Sequence, residues 1–364
     1  MEPLTDEWGV VERLLPAGWQ AAARELGAFR RARYLKDPAT LLRVVLFHAV
    51  QGAGLRQSAA LLRAAGVAQL SQVALFKRLR GAGDWLAWIA AGLCEGLRTR
   101  PGPQGAARIR LVDSTTVQGP AARGIDWRLH YAVDLASLRC DWQQVSDGHG
   151  GESLKRVPVR RGDVIVADRN FFTLAGMAHL AEAQADALIR LRWSHPGLLD
   201  AQGKPFDTLR AAGRLKTGRP GEWPVQLPLP GREPLAGRVV ALRLPLPVAE
   251  RARRGARRQA AQGGHRPDPR SLQAAGYVLL FTTLSSARLP AAGVLELYRY
   301  RWQVELAFKR LKQLLKLGRL PHQNPQAALG WIQAKLVVAL LLETLLRNTR
   351  SFSPWGFDLA FQPG

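Results

Sequence analysis

The chain has 364 residues, 47% of them apolar and 11 of them tryptophan, which allows two or three packed domains and excludes a wholly disordered polymer. Lysine and arginine total 52 against 28 acids, a formal charge of +24 that points to a polyanionic partner, nucleic acid first, or else to an arginine-rich proteome with no partner at all. The two cysteines, Cys94 and Cys140, lack ligand-like spacing, so neither a disulfide framework nor a zinc site is implied, and a reducing cytoplasm fits.

The start, MEPLTDEW, is acidic and has no apolar signal region. Residues 1–104 read as an N-terminal helical DNA-binding domain. Pro38 and Thr40 open a helix through LLRVVLFHAV. A second helix covers Leu55 to Ala65 and stops at Gly66. Ser71 caps a third through VALFKRLR. A helix-turn-helix using Lys77, Arg78 and Arg80 on DNA and an ordinary bundle with solvated basic residues both fit this pattern. RTRPGPQG, Arg98 to Gly105, has linker composition.

Residues 105–192 change to strands. Arg108 to Val117, Arg128 to Asp134 and Asp141 to Ser146 have strand character, and Glu152 to Arg156 suits a short helix. Val164 to Ala167 (VIVA) is a continuous apolar strand of the kind buried on both faces. A helix from Thr173 to Ala185 and a strand from Ala187 to Arg192 follow. This is the order of a ribonuclease H-like α/β core. Residues 193–285, with frequent proline and glycine, read as an all-β insertion. Within it, Arg251 to Arg270 holds seven arginines and one acid, Asp268, and is either a flexible arm or a nucleic-acid contact. Val278 to Thr283 returns as a strand. Residues 286–350 resume the core with one long helix from Ala291 to about Leu317, stopped by Gly318, and a helix from Pro325 to Thr349. Within the latter the apolar run Trp331 to Leu346 carries Lys335 and Glu343, and reads as buried rather than membrane-spanning. Residues 351–364 form a tail.

Asp113 lies inside the first strand and Asp168 ends the buried one. A carboxylate there is costly unless it is paired or binds a cation. Tyr298, Arg301, Glu305 and Lys312, at offsets of three, seven and fourteen residues, return to one helical face. Three oxygen donors around a cleft suit Mg²⁺ or Mn²⁺ and phosphoryl transfer. Each acid also has a structural reading: Asp113 accepting backbone hydrogen bonds, Asp168 capping a turn, Glu305 pairing with Lys309 or Arg301. Asp126, Asp134, Asp147 and Asp163 compete for the role, Glu152 reads as a helix opener, and His130 and His149 are candidate bases.

LVDSTTV around Asp113, VIVADRNFF around Asp168 and Tyr298-x2-Arg301-x3-Glu305-x6-Lys312 resemble the signatures of bacterial insertion-sequence DDE transposases, in the insertion-sequence-four family with its tyrosine-arginine-glutamate-lysine motif. The resemblance runs over about residues 55–348 and is weakest in the insertion. It implies a ribonuclease H-like core interrupted before the glutamate, consistent with 54 residues between the aspartates and 136 between Asp168 and Glu305. It implies cleavage at terminal inverted repeats that frees a 3′-hydroxyl, which then attacks target DNA, or first the opposite strand to form a hairpin, before transfer into the target. Asp113, Asp168 and Glu305 would be the catalytic ligands of two Mg²⁺ ions, replaceable by Mn²⁺. Tyr298, Arg301 and Lys312 would grip phosphates, with Arg169 and Trp302 as further DNA contacts. Trp193, Trp223 or Trp302 would stack on a displaced base. Where the family often has Asp-Arg-Gly-Tyr, this chain has Asn170 and Phe171, and an asparagine can adopt glycine's left-handed conformation. The expected setting is a bacterial cytoplasm without membrane contact, with a homodimer on double-stranded element ends and target. A structure-specific nuclease or resolvase, and a domesticated DNA-binding regulator, are the alternatives.

Overall fold

The computed structural model of the chain describes residues 8–32, 35–97, 107–120, 127–194 and 197–349. The Arg98–Gly105 linker, Asp126 and the 351–364 tail lie outside them.

The chain begins with six helices: α1 (Trp8–Leu14), α2 (Trp19–Glu25), α3 (Pro38–Gln51), α4 (Leu55–Ala64), α5 (Gln72–Gly81) and α6 (Gly83–Leu97). Their starts are chemically specified. The Asp37 carboxylate accepts the Thr40 N–H at 2.7 Å, and the Ser71 hydroxyl accepts the Ala74 N–H at 3.1 Å. Strands β1 (Ile109–Val117), β2 (Trp127–Asp134), β3 (Arg139–Asp147) and β4 (Val164–Ala167) follow, then α7 (Leu174–Glu182) and β5 (Asp186–Arg190). Next come α8 (Thr208–Ala212), β6 (Pro220–Leu227), β7 (Leu235–Arg243), α9 (Leu246–Gln262), α10 (Pro269–Ala274) and β8 (Tyr277–Thr282). The chain closes with α11 (Ala291–Arg299), α12 (Trp302–Gln313) and α13 (Pro325–Thr349).

The result is a mixed α/β protein built on one eight-stranded sheet, ordered β3-β2-β1-β4-β5-β8-β7-β6. β1, β4 and β5 run parallel, and the other neighbours pair antiparallel. Alternation along the strands divides two cores. Leu111, Val164, Val166 and Leu188 face the helices of the N- and C-terminal segments, while Val112, Ile165, Ala167 and Ile189 face the other side. The same parity places Asp113 and Asp168 on the first face, the face on which α12 packs against β1 and β2. α13 lies among α3, α5 and α6. By length and composition it is the one helix among the described residues able to cross a membrane, but 67% of its apolar window is buried in the protein.

Two expectations need correction. The segment 193–285 is not all-β. It contains α8, α9 and α10, and its three strands extend the core sheet rather than forming a separate one. Its prolines and glycines fall within strands and helices as well as at turns, and Ala, Arg, Glu and Gln through Leu246–Gln262 favour helix, so the arginine-rich block is mostly helical. The second correction is the helix expected from Ala291 to Leu317, which breaks at Tyr300–Arg301 into α11 and α12. There the Arg301 N–H bonds the Tyr298 carbonyl, and the Val304 N–H bonds that of Arg301, a tightened three-residue pattern that bends the helix without leaving the right-handed region.

Candidate active site

Asp113 pairs in register with Tyr131 of β2, one residue beyond the Val112–Ala167 step that aligns β1 with β4. Asp168 follows Ala167 directly, so two neighbouring parallel strands bring the two acids side by side. Asp113 Oδ1 accepts the Ser114 N–H at 2.8 Å, and Oδ2 faces Arg301 Nη1 at 3.3 Å. Burial dominates its titration. With Asp168 and Glu152 adding negative potential, it outweighs the Ser114 and Arg301 contributions and pushes the carboxyl up to about 6. Asp168 opens the short 3₁₀ turn Arg169–Phe171 without capping it, and its Oδ1 is buried with no hydrogen-bond partner. A buried orphan carboxylate oxygen is rare and costly, and a bound cation relieves that cost.

Glu305 stands in the first turn of α12, with 55% of its side chain exposed, and accepts from Arg301 Nη2 at 2.5 Å. Arg301 therefore joins Asp113 to Glu305 from the helix break, where its own side chain is only 17% exposed. Burial opposes its charge, but Tyr298, Glu305 and Asp113 together raise its pKa. The guanidinium occupies the electrostatic position that a cation between these acids would take. As they stand, no three His, Cys, Asp or Glu side chains among the described residues converge tightly enough to hold an ion. The two aspartates lie on neighbouring strands, one within β1 and one at the end of β4, and Glu305 is joined to Asp113 through Arg301 rather than directly. The donor set fits a hard divalent ion, being all carboxylate with one buried oxygen unclaimed.

Tyr298 lies under Arg301, with the guanidinium carbon 5.9 Å from its ring centroid. Its hydroxyl is buried, makes no hydrogen bond of good geometry, and is pushed up to about 12, chiefly by burial and against the pull of Arg301. Lys312, in the last turn of α12, is half-buried and lowered by burial. Tyr300 and Trp302 flank Arg301 and are 44% and 48% exposed. Arg169 is exposed beside Asp168. Asn170 is not left-handed: it sits in the 3₁₀ turn, and its Oδ1 accepts from Arg192 Nη2 at 2.5 Å.

Most of the other candidates have structural partners. Asp163 takes two bonds from Arg108, Asp134 takes Ser137, and Asp147 takes the Gly150 N–H. His130 contacts Ser146 and is lowered to about 4 by burial and neighbouring arginines. His149 lines a cavity of about 600 Å³ with Trp127 and His322. In α5, Lys77 is exposed, but Arg80 bonds Gln326 of α13 and lies over Phe76, so it ties helices together. Arg78 is half-buried. Trp193 bonds Ser271 and stacks under Arg270, and Trp223 packs near Phe206. The sequence reading missed Glu152 as a site neighbour. It accepts from Ser114 Oγ at 2.7 Å and Arg128 Nη1 at 2.9 Å, next to Asp113. The Ser153 hydroxyl, not Glu152, caps the short helix that follows.

Aspartates on two neighbouring parallel strands and a glutamate on a helix of the same sheet face, in that chain order, are the arrangement expected of a DDE phosphoryl-transfer protein. The transposase DDE domain matches residues 104–341, and the chain belongs to that family of transposases, in its insertion-sequence-four branch. It is 33% identical over 356 residues to InsL, the transposase described for insertion sequence element IS186A of Escherichia coli K12, covering 96% of both chains. It is equally similar, 33% over 357 residues and 96% of both chains, to the transposase for insertion sequence element IS421 of Escherichia coli. Among solved structures, a piggyBac transposase synaptic complex with hairpin DNA overlaps 96% of this chain and 80% of its own, at 11% identity and a TM-score of 0.44.

Proposed function

We propose that this transposase cuts double-stranded DNA at the terminal inverted repeats of its own element and joins the freed end to target DNA, using Asp113, Asp168 and Glu305. The observation that carries this reading is the buried, unpartnered Asp168 oxygen beside an Asp113 that burial makes reluctant to ionise, with Arg301 standing in for positive charge. The strand order β3-β2-β1-β4-β5 supports a ribonuclease H-like core.

Asp113, Asp168 and Glu305 would hold Mg²⁺, or Mn²⁺ in its place, and two such ions bound there would activate an attacking oxygen and neutralise a leaving one. The chain's own residues do the positioning. A scissile phosphate entering the cleft draws Arg301 off the carboxylates, since a guanidinium pairs with phosphate oxygens in the same bidentate way. The free Tyr298 hydroxyl donates to a phosphate oxygen, its raised pKa keeping the proton in place. Lys312 lies about 10 Å along the helix from Glu305 and meets the next phosphate. In the first step water adds to the phosphorus at the element end and the 3′-oxygen leaves with a proton. In the second, that 3′-hydroxyl attacks a target phosphodiester, and one P–O bond forms as another breaks. Two ends must be held together, which favours a homodimer on the DNA, in the bacterial cytoplasm.

The test is incubation of the full chain with Mg²⁺ and a duplex bearing the inverted repeat that flanks its gene. Nicking followed by joining is expected. Cutting of branched DNA without joining would favour the nuclease reading, and binding without cutting the regulator.

A further inference from the structure

We infer that the outer face of α9 is a docking surface for the phosphate backbone of the element-end duplex, outside the catalytic cleft. The inference rests on the transposase reading above and adds a second, separate contact.

Within α9, Arg251, Arg254, Arg257 and Arg258 are all exposed, and among the described residues none of them donates a hydrogen bond or ion pair. At about 100° per residue they fall within an arc of about 120°. Ala249 and Ala260, the two buried residues of the helix, lie on the opposite side. Arg253, outside the arc, is the arginine with internal work: it pairs with Glu250 and bonds the Leu272 carbonyl of α10. The helix is thus seated by alanines and one paired arginine, while four cations are left facing water. Side chains that only had to keep a surface solvated would be mixed in sign, and this arc carries one acid, Glu250, already paired. With Glu250 paired, the stripe is net positive over about 10 Å, the axial length of about three phosphates of one strand at about 3.4 Å each, and arginines without accompanying base-reading acids suit positioning rather than sequence choice.

The placement decides which DNA. α9 follows the end of β7, and β8 begins where α10 stops, with Arg243 opposite Tyr277. β8 runs antiparallel to β5, so this helical hairpin rises from the edge where β5 ends. β4 ends on the same edge, at Asp168. A line of contacts connects the two: Asn170 to Arg192, then Trp193 to Ser271 and Arg270 at the start of α10. α9 and α10 therefore leave the sheet at the end that carries Asp168, the side on which a duplex engaged at Asp113 and Asp168 would continue.

The test compares the wild-type chain with R251Q/R254Q/R257Q/R258Q and with the corresponding four-lysine variant. Binding to the inverted-repeat duplex is measured by fluorescence anisotropy over a range of salt. The glutamine variant is expected to lower the slope of log K against log salt by about three to four, and to weaken binding at least about 100-fold at 100 mM salt. The lysine variant is expected to stay within about tenfold of wild type, because phosphate contacts tolerate a point charge. R258Q alone, which guards against misfolding of the quadruple change, should lower the slope by about one. An unchanged slope overturns the inference. So does normal end binding with loss only of joining into target DNA, which would make α9 a target contact. Equal loss in the lysine variant also overturns it, since that marks a structural role. If the wild-type chain never cuts its element end, the catalytic reading fails while the salt slope still reports on α9.

Discussion

Arg301 Nη1 stands 3.3 Å from Asp113 Oδ2, bridging 188 residues of chain, while its Nη2 holds Glu305 at 2.5 Å. One guanidinium thus neutralises two of the three acids of the candidate site. A divalent ion held by these acids would compete with Arg301 for the same oxygens, and the arginine would set a threshold for loading the cleft. Arg301→Ala should bind Mn²⁺ about tenfold more tightly than wild type in the DNA-free protein, by titration calorimetry or electron paramagnetic resonance, while losing end cleavage. Unchanged or weaker Mn²⁺ binding would show that the pairing does not compete.

Asp113 should be a stability cost that function retains. Its carboxyl is pushed up to about 6 by burial, so at pH 8 the folded protein carries a charge it disfavours. The native state binds more protons than the unfolded between about pH 4 and 6, so stability falls as pH rises through that window. Asp113→Asn should therefore raise metal-free stability at pH 8 by about 1–3 kcal/mol while abolishing cleavage. Denaturant titration checks the first outcome, and a loss of stability would contradict it.

Histidines impose the opposite slope. His48 and His130 are both lowered to about 4, in each case mainly by burial. His48 contacts Ser58 Oγ at 2.8 Å and His322 Nε2 at 3.2 Å. The unfolded chain takes up these protons first, so stability is lost as pH falls from about 6.5 to 4. Melting followed by circular dichroism should show a loss on the order of a few kcal/mol over this range, flattened in His48→Asn.

Gly330 lets α13 pass close to α5. A Cβ there would lie 2.2 Å from the Leu79 carbonyl oxygen, a backbone atom that cannot step aside. Gly330→Ala should destabilise the protein by about 1–3 kcal/mol and loosen the Arg80–Gln326 tie, measurable as a lower melting temperature.

Much of this arrangement was legible from the residues. VIVA reads as a doubly buried strand and is one, and the alternation of β1 and β4 puts Asp113 and Asp168 on one face. The cap at Ser71 and the turn at Gly66 were local signals, and both formed. What escaped was non-local or degenerate. Every residue around Tyr300 tolerates helix, so the break that aims Arg301 left no mark in the pattern. The α9 segment was read by its charge, and charge does not distinguish an arm from a seated helix. Glu152 joins Asp113 only through Ser114 and Arg128, a relationship that requires the β1–β2 register to be known. Cys94 and Cys140 lie 3.5 Å apart at Sγ, from α6 and β3, without any spacing that announces it.

The most direct test of the account is a gel assay of cleavage and joining by the full chain on its own terminal-repeat duplex with Mg²⁺, comparing Asp113→Asn, Asp168→Asn and Glu305→Gln with wild type. Each variant should still bind the duplex and should lose at least about 100-fold in cleavage rate. A variant that binds and cuts within about tenfold of wild type would contradict the assignment of that carboxylate to the site.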